Sequence, residues 1–383
     1  MSLIYNTSPS GTPSVHDNLW HIVSSDHSGT TDFKYVFDIW INGVQKVRVK
    51  QVPEPNNGKA YFDAGPIVRN EMTYDWFEPI NSSAYVSQPD MSGDIGIRYQ
   101  LRIGEDYSGT VTTNMVSGET NCYNWTPNLF KRTVDNLQLR LNKWLTNRPL
   151  TAQTKIGENL FIGFYTDTAL TLHCQTFDYS NNSITTADGT PVTVTDGFVQ
   201  MNIGTVALNA TLGITINEGV KYYDVWFNSL DKIRVYTTCN PKYEPITIHF
   251  LNRWGLYDTH RFDLVSKLNM AVQRKEFEQR DYRFNGNQVD YKSSSNRYYE
   301  GKMNYFNAAT WQYKLTSNAL SDAEYTWLSD LIVSPQILME VDGYFYPVTV
   351  KSDNYEYKKN VVDKLSAFEV VFEMNQTRYS QLR

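Results

Sequence analysis

Three histidines near the start of the chain are the first residues that could do chemistry. His16, His21 and His27 lie close to the carboxylates of Asp17 and Asp26, and imidazole and carboxylate groups are common metal ligands. Their spacing matches no compact ligand motif, and the surrounding sequence is polar and typical of a loop. Surface histidines are therefore the favoured interpretation, and the sequence predicts no metal and no other cofactor.

Acidic residues that could act as a hydrolytic pair are concentrated in one charged segment. Glu276, Glu278 and Asp281 lie close in sequence, and glycoside hydrolysis needs two carboxyl groups about 5–10 Å apart. Basic residues such as Arg274 and Arg280 alternate with them, which is typical of a solvated or interfacial strand. The chain also has no nucleophile elbow, no P-loop and no glycine-rich phosphate-binding motif. We therefore expect a protein that is not an enzyme, with a glycoside hydrolase as the least favoured alternative.

A turn-rich loop at 252–259 carries aromatic and basic side chains that could contact a ligand. Trp254 and Tyr257 could stack on a sugar ring or on a side chain of a partner, with Arg253 beside them. The alternative is a structural loop, in which the tryptophan is buried and the arginine binds backbone carbonyls. The structural loop is the favoured interpretation, and a surface that contacts a sugar or a partner is kept as the alternative.

The segment 274–300 is dense in arginine, tyrosine and asparagine, residue types that favour protein–protein contact. A mixture of basic and aromatic residues also suits nucleic acid, but the acidic neighbours favour contact between subunits. The candidate subunit-contact residues are Arg253, Trp254, Tyr257, Arg280, Tyr282, Arg283, Tyr291, Arg297, Tyr298 and Tyr299.

Two hairpins are the clearest elements that could position these residues. Apolar residues alternate from Phe33 to Ile41, the period of a half-buried strand, and Asn42-Gly43 follows. Asn-Gly favours a type I′ turn because both central residues need φ > 0. Asp342-Gly343 lies between two strand-like runs in the same way, and Asp188-Gly189 is predicted to be a further hairpin turn.

Helices are predicted at only a few places. Ser321-Asp-Ala-Glu324 matches a capping box, and Pro335 would stop the helix that it opens. A short helix is expected after Pro66. Apolar residues at helical spacing over 128–144 indicate either a helix or an irregular linker with one helical piece.

These elements predict a mainly β protein with two or three antiparallel β-sandwich or barrel-like domains and one or two short helices. We expect an extended N-terminal arm at 1–30 and a β domain with the Asn-Gly hairpin at 31–150. After these we expect an inserted small β-sandwich at 155–240 and a C-terminal antiparallel β domain with one capped helix at 241–383.

Composition restricts the classes of function. The chain has 383 residues, a net charge of −6 and no basic block, which argues against a dedicated nucleic-acid binder. It holds 27 Tyr, 18 Phe and 9 Trp, a total that predicts extensive contact surface. Three scattered cysteines form no disulfide framework and no zinc spacing, so we expect small buried thiols in a reducing cytosol. No signal sequence and no membrane insertion by this chain are expected.

Two blocks of sequence carry a resemblance to known proteins. The first block has Phe33-Lys-Tyr-Val-Phe-Asp38, Asn42-Gly43, Arg48-Val-Lys50, Pro53-x-Pro55, Gly58 and Tyr61-Phe-Asp63. The second has Phe250-Leu-Asn-Arg-Trp-Gly-Leu-Tyr-Asp258, Trp327-Leu328, Ser334-Pro335, Asp342-Gly343 and Asn375-Gln-Thr-Arg-Tyr379. These blocks resemble virion proteins of tailed phages that infect Bacteroidota, the crAss-like phages among them. The resemblance covers roughly the first 115 and the last 140 residues.

The resemblance implies a structural ring or hub subunit of the neck or tail, assembled in the host cytoplasm and located in the virion. Its partners would be further copies of itself in a cyclic homo-oligomer and other tail or portal-proximal proteins. DNA would pass through without sequence readout. The main alternative is a carbohydrate-binding tail adhesin, which the aromatic-rich composition of the middle domain suggests.

Overall fold

The structure is a computed structural model, and it confirms a mainly β fold in which strands make up 55% of the residues. It describes residues 3–9, 11–72, 86–87, 95–107, 109–126, 137–194, 197–227, 231–238, 242–351 and 365–379. The chain divides into two units: the first comprises 1–240 and 249–259, and the second comprises 241–248 and 260–383.

The first unit holds many short strands and two short helices. Its strands are β1 (Leu3–Thr7), β2 (Trp20–Ser25), β3 (Lys34–Ile41), β4 (Val44–Gln51), β5 (Ala60–Asp63), β6 (Val86–Ser87), β7 (Gly96–Tyr107), β8 (Thr110–Val116), β9 (Thr120–Tyr123), β10 (Lys143–Trp144), β11 (Thr151–Lys155), β12 (Phe161–Tyr165), β13 (Leu172–Phe177), β14 (Ser183–Asp188), β15 (Phe198–Asn202), β16 (Tyr222–Phe227) and β17 (Ile233–Thr238). Its helices are α1 (Gly65–Asn70) and α2 (Thr205–Leu212), with a 3₁₀ turn at Leu137–Arg140.

Four sheets organise these strands. Their orders are β1-β2-β5, β4-β3-β7-β8 with β9 on β7, β10-β12-β15-β6, and β11-β17-β16-β13-β14. The pairs are antiparallel except for β11 and β17, which run parallel. Alternate residues of the strands point inward; in β16, for example, Tyr223, Val225 and Phe227 are fully buried in a core that the last two sheets share.

The second unit is built on one large sheet. Its elements are β18 (Ile246–Leu251), β19 (Tyr257–Phe262), β20 (Lys267–Glu278), β21 (Arg283–Asn285), β22 (Gln288–Asp290), β23 (Lys302–Ser321), α3 (Asp322–Trp327), α4 (Ser329–Val333), β24 (Ile337–Val341), β25 (Tyr344–Val350) and β26 (Leu365–Tyr379). The division between the units falls within β18 and β19. The sheet has the order β19-β18-β24-β25-β26-β23-β20, and β21 and β22 form a separate small hairpin.

The turn chemistry of the two predicted hairpins is confirmed. Asn42 and Gly43 have φ of 50° and 74° between the paired strands β3 and β4, and Asp342 and Gly343 have φ of 53° and 77° between β24 and β25. The capping box is also confirmed, because the Ser321 hydroxyl accepts from the backbone of Glu324 while the Glu324 carboxylate accepts from the backbone of Ser321.

Other expectations were wrong. The segment 1–30 is not an extended arm, because β1 and β2 pair with each other and β2 pairs with β5, which buries Leu3 and Val23. Asp188-Gly189 makes no hairpin turn: Gly189 lacks a positive φ, and its N–H donates to the carbonyl of Leu172. Helix α2 was not predicted. Of the segment 128–144, residues 128–136 lie outside the described ranges; the described part holds the 3₁₀ turn and strand β10, which agrees with the alternative of an irregular linker with one helical piece.

A buried histidine makes the first unit sensitive to acid. His21 is fully buried, its Nδ1 pairs with the hydroxyl of Tyr5, and its Nε2 lies 2.7 Å from the hydroxyl of Tyr99. Burial lowers the pKa of His21 to about 4, against about 6.5 for an unburied imidazole. The unfolded chain therefore binds a proton between these values that the folded chain does not, so the folded state loses stability as pH falls through this window.

We expect this histidine to contribute a loss of about 2 kcal/mol in the free energy of unfolding between about pH 7.5 and about pH 5. Urea titrations at the two pH values, on the wild type and on His21→Asn, measure it. The His21→Asn variant is less stable at the higher pH but should lose this part of the pH dependence. An unchanged pH dependence in His21→Asn would contradict the assignment.

Gly104 is required where β7 bulges against β8. A Cβ atom there would overlap the backbone carbonyl of Thr112, so the strands cannot stay paired without moving. We expect Gly104→Ala to lower the free energy of unfolding by about 2 kcal/mol or more. Gly118→Ala is the matched control, because a Cβ at Gly118 meets open space. Equal urea midpoints for the two variants would contradict this role.

Candidate subunit-contact surface

The loop at 252–259 belongs to the interior of the first unit. Trp254 is 1% exposed and stacks on Trp125 with ring centroids 5.7 Å apart, and Tyr257 is fully buried. Arg253 donates from Nη2 to the backbone carbonyl of Thr126 at 3.2 Å. The structural-loop interpretation is therefore confirmed, and Trp254 and Tyr257 are removed from the candidate contact surface because other subunits cannot reach them.

The other seven candidates lie in one region of the second unit. The strands β20 and β23 form a long hairpin, and the segment 279–301 that joins them contains Arg280, Tyr282, Arg283, Tyr291, Arg297, Tyr298 and Tyr299. We call 279–301 the tip. Five of these seven side chains are exposed, among them Tyr291 and Tyr298, which are 57% and 70% exposed.

The tip has internal order of its own. Strands β21 and β22 pair around Gly286, the guanidinium of Arg283 lies 4.8 Å from the ring of Tyr299, and Arg297 pairs with Glu300. Tyr282 packs its ring against Tyr291 at 6.3 Å. These contacts hold the aromatic groups in fixed positions, which lowers the entropy that binding a partner would cost.

The hairpin extends beyond the rest of its sheet among the described residues. Strand β26 pairs with β23 as far as Ala308 opposite Tyr379, whereas β20 pairs with β23 as far as Lys302 opposite Glu278. The 302–307 part of β23 is thus paired with β20 alone. Most of β20 is exposed along its length.

One face of this hairpin is apolar, and the sequence analysis missed it. Leu268, Met270 and Val272 alternate along β20 and are 51%, 51% and 36% exposed. Their cross-strand neighbours on β23 are Tyr313, Trp311 and Ala309, in that order. We call these six residues the apolar stripe. Its signal in the sequence was the spacing of Leu268, Met270 and Val272 at every second residue.

The apolar stripe continues the core face of the seven-stranded sheet. Tyr313 lies opposite the buried Phe372 of β26, and the next inward pair is Leu315 with Val370. Helix α3 covers this face further along, where Tyr325 packs edge-on against Phe368. Within the described residues the stripe has no comparable cover, so it exposes apolar surface that a partner could bury.

On the opposite face, polar side chains of β23 are paired with side chains of the neighbouring strand β26. Lys314 pairs with Glu369, and Glu373 accepts from Gln312 at 2.8 Å and pairs with Lys351 at 2.8 Å. The contrast between the two faces indicates that only the apolar stripe gains from being covered.

The histidines considered as metal ligands do not come together. His21 binds the two tyrosines described above, the Nε2 of His16 lies 3.0 Å from the side-chain oxygen of Asn124, and His27 lies 3.5 Å from Glu105. Among the described residues, no three His, Cys, Asp or Glu side chains are grouped so that they could hold a metal ion.

The structure also shows where two acidic residues of the charged segment and two of the three cysteines lie. Glu276 and Glu278 are exposed on β20, with Glu278 3.4 Å from Lys302. Cys122 and Cys174 are buried, and burial raises the pKa of each thiol to about 12, which makes them poor nucleophiles. Cys239 lies outside the described residues.

Comparison with known proteins leaves the family open. No protein-family model matches the chain, and no curated protein matches it. Among solved structures, native alpha-2-macroglobulin from Escherichia coli, domains MG0-NIE-MG1, is 7% identical over 90% of this chain and 95% of that chain, with a TM-score of 0.23. The FN1-FN3 domains of chicken CNTN1 are 12% identical over 61% and 68%, with a TM-score of 0.18. Likenesses this low carry no argument about function. Within the described ranges, no helix has the length and apolar character needed to cross a membrane.

The two groups of candidates should respond differently to truncation. We expect Trp254→Ala to lower the free energy of unfolding by about 3–5 kcal/mol, because it empties a buried site. Tyr298→Ala should change it by no more than about 0.5 kcal/mol, because the side chain is exposed. Urea unfolding of dilute protein measures both. A Tyr298→Ala variant as unstable as Trp254→Ala would place the tip in the core of the fold.

Proposed function

We propose that this protein is a non-enzymatic structural subunit of a phage virion, present as many copies in an oligomeric ring or hub of the neck or tail. The observation that carries the proposal is the apolar stripe on a hairpin that extends past its own sheet. A ring subunit needs a rigid scaffold and a surface that contacts its neighbour around an axis, since a repeated heterologous interface closes into a ring.

The charge of the hairpin supports contact with another copy. Between residues 274 and 300 there are six cationic and five acidic residues, so several copies can meet there without accumulating charge of one sign. The tip adds exposed tyrosines and arginines, the residue types that most often anchor protein interfaces.

The other partners follow from the resemblance of the two sequence blocks to virion proteins. We propose contacts with neighbouring tail or portal-proximal proteins and a passage through which DNA moves without sequence readout. The net charge of −6 suits such a passage, because a strongly basic wall would hold the DNA phosphates.

Native mass spectrometry and negative-stain microscopy of the full chain test this function. We expect a closed ring whose formation depends on the apolar stripe. The variant Leu268→Glu/Met270→Glu should shift the protein toward monomer, because each change places a charge in the buried interface. The matched control is Asn269→Glu/Ala271→Glu, which adds the same charges to the opposite face of the same strand and should leave assembly intact.

A wild-type protein that stays monomeric at high concentration would overturn the proposal, and a monomer that binds glycans would favour the adhesin. Equal disruption by the test and control variants would remove the apolar stripe from the interface.

A further inference from the structure

A basic pocket lies in the first unit, whereas the proposed contact surface belongs to the second. It has a volume of about 490 Å³ and is lined by residues between Arg140 and Leu150 together with Asp231. That volume falls within the range of small-ligand sites. Its polar lining consists of Arg140, Asn142, Lys143, Thr146, Asn147, Arg148 and Asp231.

The charge of the pocket lining is opposite in sign to the net charge of the whole chain. Three cationic side chains face one carboxylate here, whereas the whole protein carries a net charge of −6. A concave site lined by one sign of charge concentrates the field and attracts ions of the opposite sign. The charge therefore selects an anion and disfavours a metal cation.

Two of the side chains that line the pocket are fixed by hydrogen bonds. Arg148 donates from Nε to the carbonyl of Thr151 at 3.2 Å and from Nη1 to the carbonyl of Thr259 at 3.1 Å. Trp144 is buried, and its indole N–H donates to the carbonyl of Asp231 at 3.0 Å. A ligand would therefore meet a wall already in place and would not have to order it, which reduces the entropy cost of binding.

Lys143 and Arg140 supply the other two cations of the lining. Lys143 is exposed, and Arg140 is half-buried with its guanidinium 5.0 Å from the ring of Trp254. Asn142 and Asn147 add amide N–H groups that can donate to an anion. Guanidinium, ammonium and amide donors around one cavity match an oxyanion that carries several acceptor oxygens and more than one negative charge.

We propose that this pocket binds a phosphate group, either of a small phosphorylated molecule or of a single-stranded nucleic-acid backbone. Arg140 and Lys143 would bind the phosphate oxygens, and Arg148 would hold the wall against which the group rests. The site shares no residue with the apolar stripe, so phosphate binding can be measured separately from ring assembly.

Calorimetric titration of the full chain at low salt tests the site, with pyrophosphate as one probe and a short oligothymidylate as the other. We expect pyrophosphate to bind in the millimolar range or tighter, and the affinity to fall at least tenfold in Arg140→Gln/Lys143→Gln. The matched control is Lys34→Gln, which removes an exposed cation from β3 and should bind as the wild type does. Circular dichroism checks that each variant is folded.

The two probes distinguish the sources of the phosphate. Binding of oligothymidylate with the same dependence on Arg140 and Lys143 would assign the site to a nucleic-acid backbone, and binding of pyrophosphate alone would assign it to a small molecule. The proposal is overturned if folded wild-type protein binds neither probe, or if Lys34→Gln weakens binding as much as the double variant does.

Discussion

A β-sheet must bury its apolar face, and this need decides which surface of the second unit is left for a partner. In the seven-stranded sheet this face is covered by helix α3 near Phe368 but continues outward through Tyr313 to Leu268, Met270 and Val272. Apolar area removed from water contributes roughly 25 cal/mol per Å², so side chains left half-exposed retain a driving force for association. A chain that kept this surface in water would also be prone to nonspecific aggregation.

Each of the two units is stabilised by its own buried contacts. The first unit buries large aromatic side chains in several cores, and its strands are joined by tight turns that fix their pairing. The polar face of the β23–β26 pair satisfies its charges internally through Lys314, Lys351 and Glu373. Within the second unit, β23 is held in register against β26, so the hairpin of β20 and β23 extends from a paired strand, which lowers the entropy cost of binding.

Local signals in the sequence were sufficient wherever a few adjacent residues determine the structure. The Asn42-Gly43 and Asp342-Gly343 turns and the Ser321 cap were predicted because their geometry needs particular residue types. Asp188-Gly189 shows the limit, since the same dipeptide takes no positive φ when the neighbouring strands pair differently.

Features that depend on distant contacts could not be predicted from the sequence. The burial of Trp254 depends on Trp125, and the parallel pairing of β11 with β17 joins residues about 80 positions apart. The residues of the tip were predicted to contact other subunits from the composition of their segment alone. The apolar stripe was missed because its exposure is known only when the position of α3 and of the sheet edge is known.

The most direct measurement is the solvent accessibility of Met270 as a function of protein concentration, read by hydroxyl-radical oxidation and mass spectrometry. The account predicts that oxidation of Met270 falls as the protein is concentrated, while oxidation of Tyr344, which is 69% exposed on β25, stays constant. Oxidation of Met270 that is high and independent of concentration would contradict the claim that another copy covers this face.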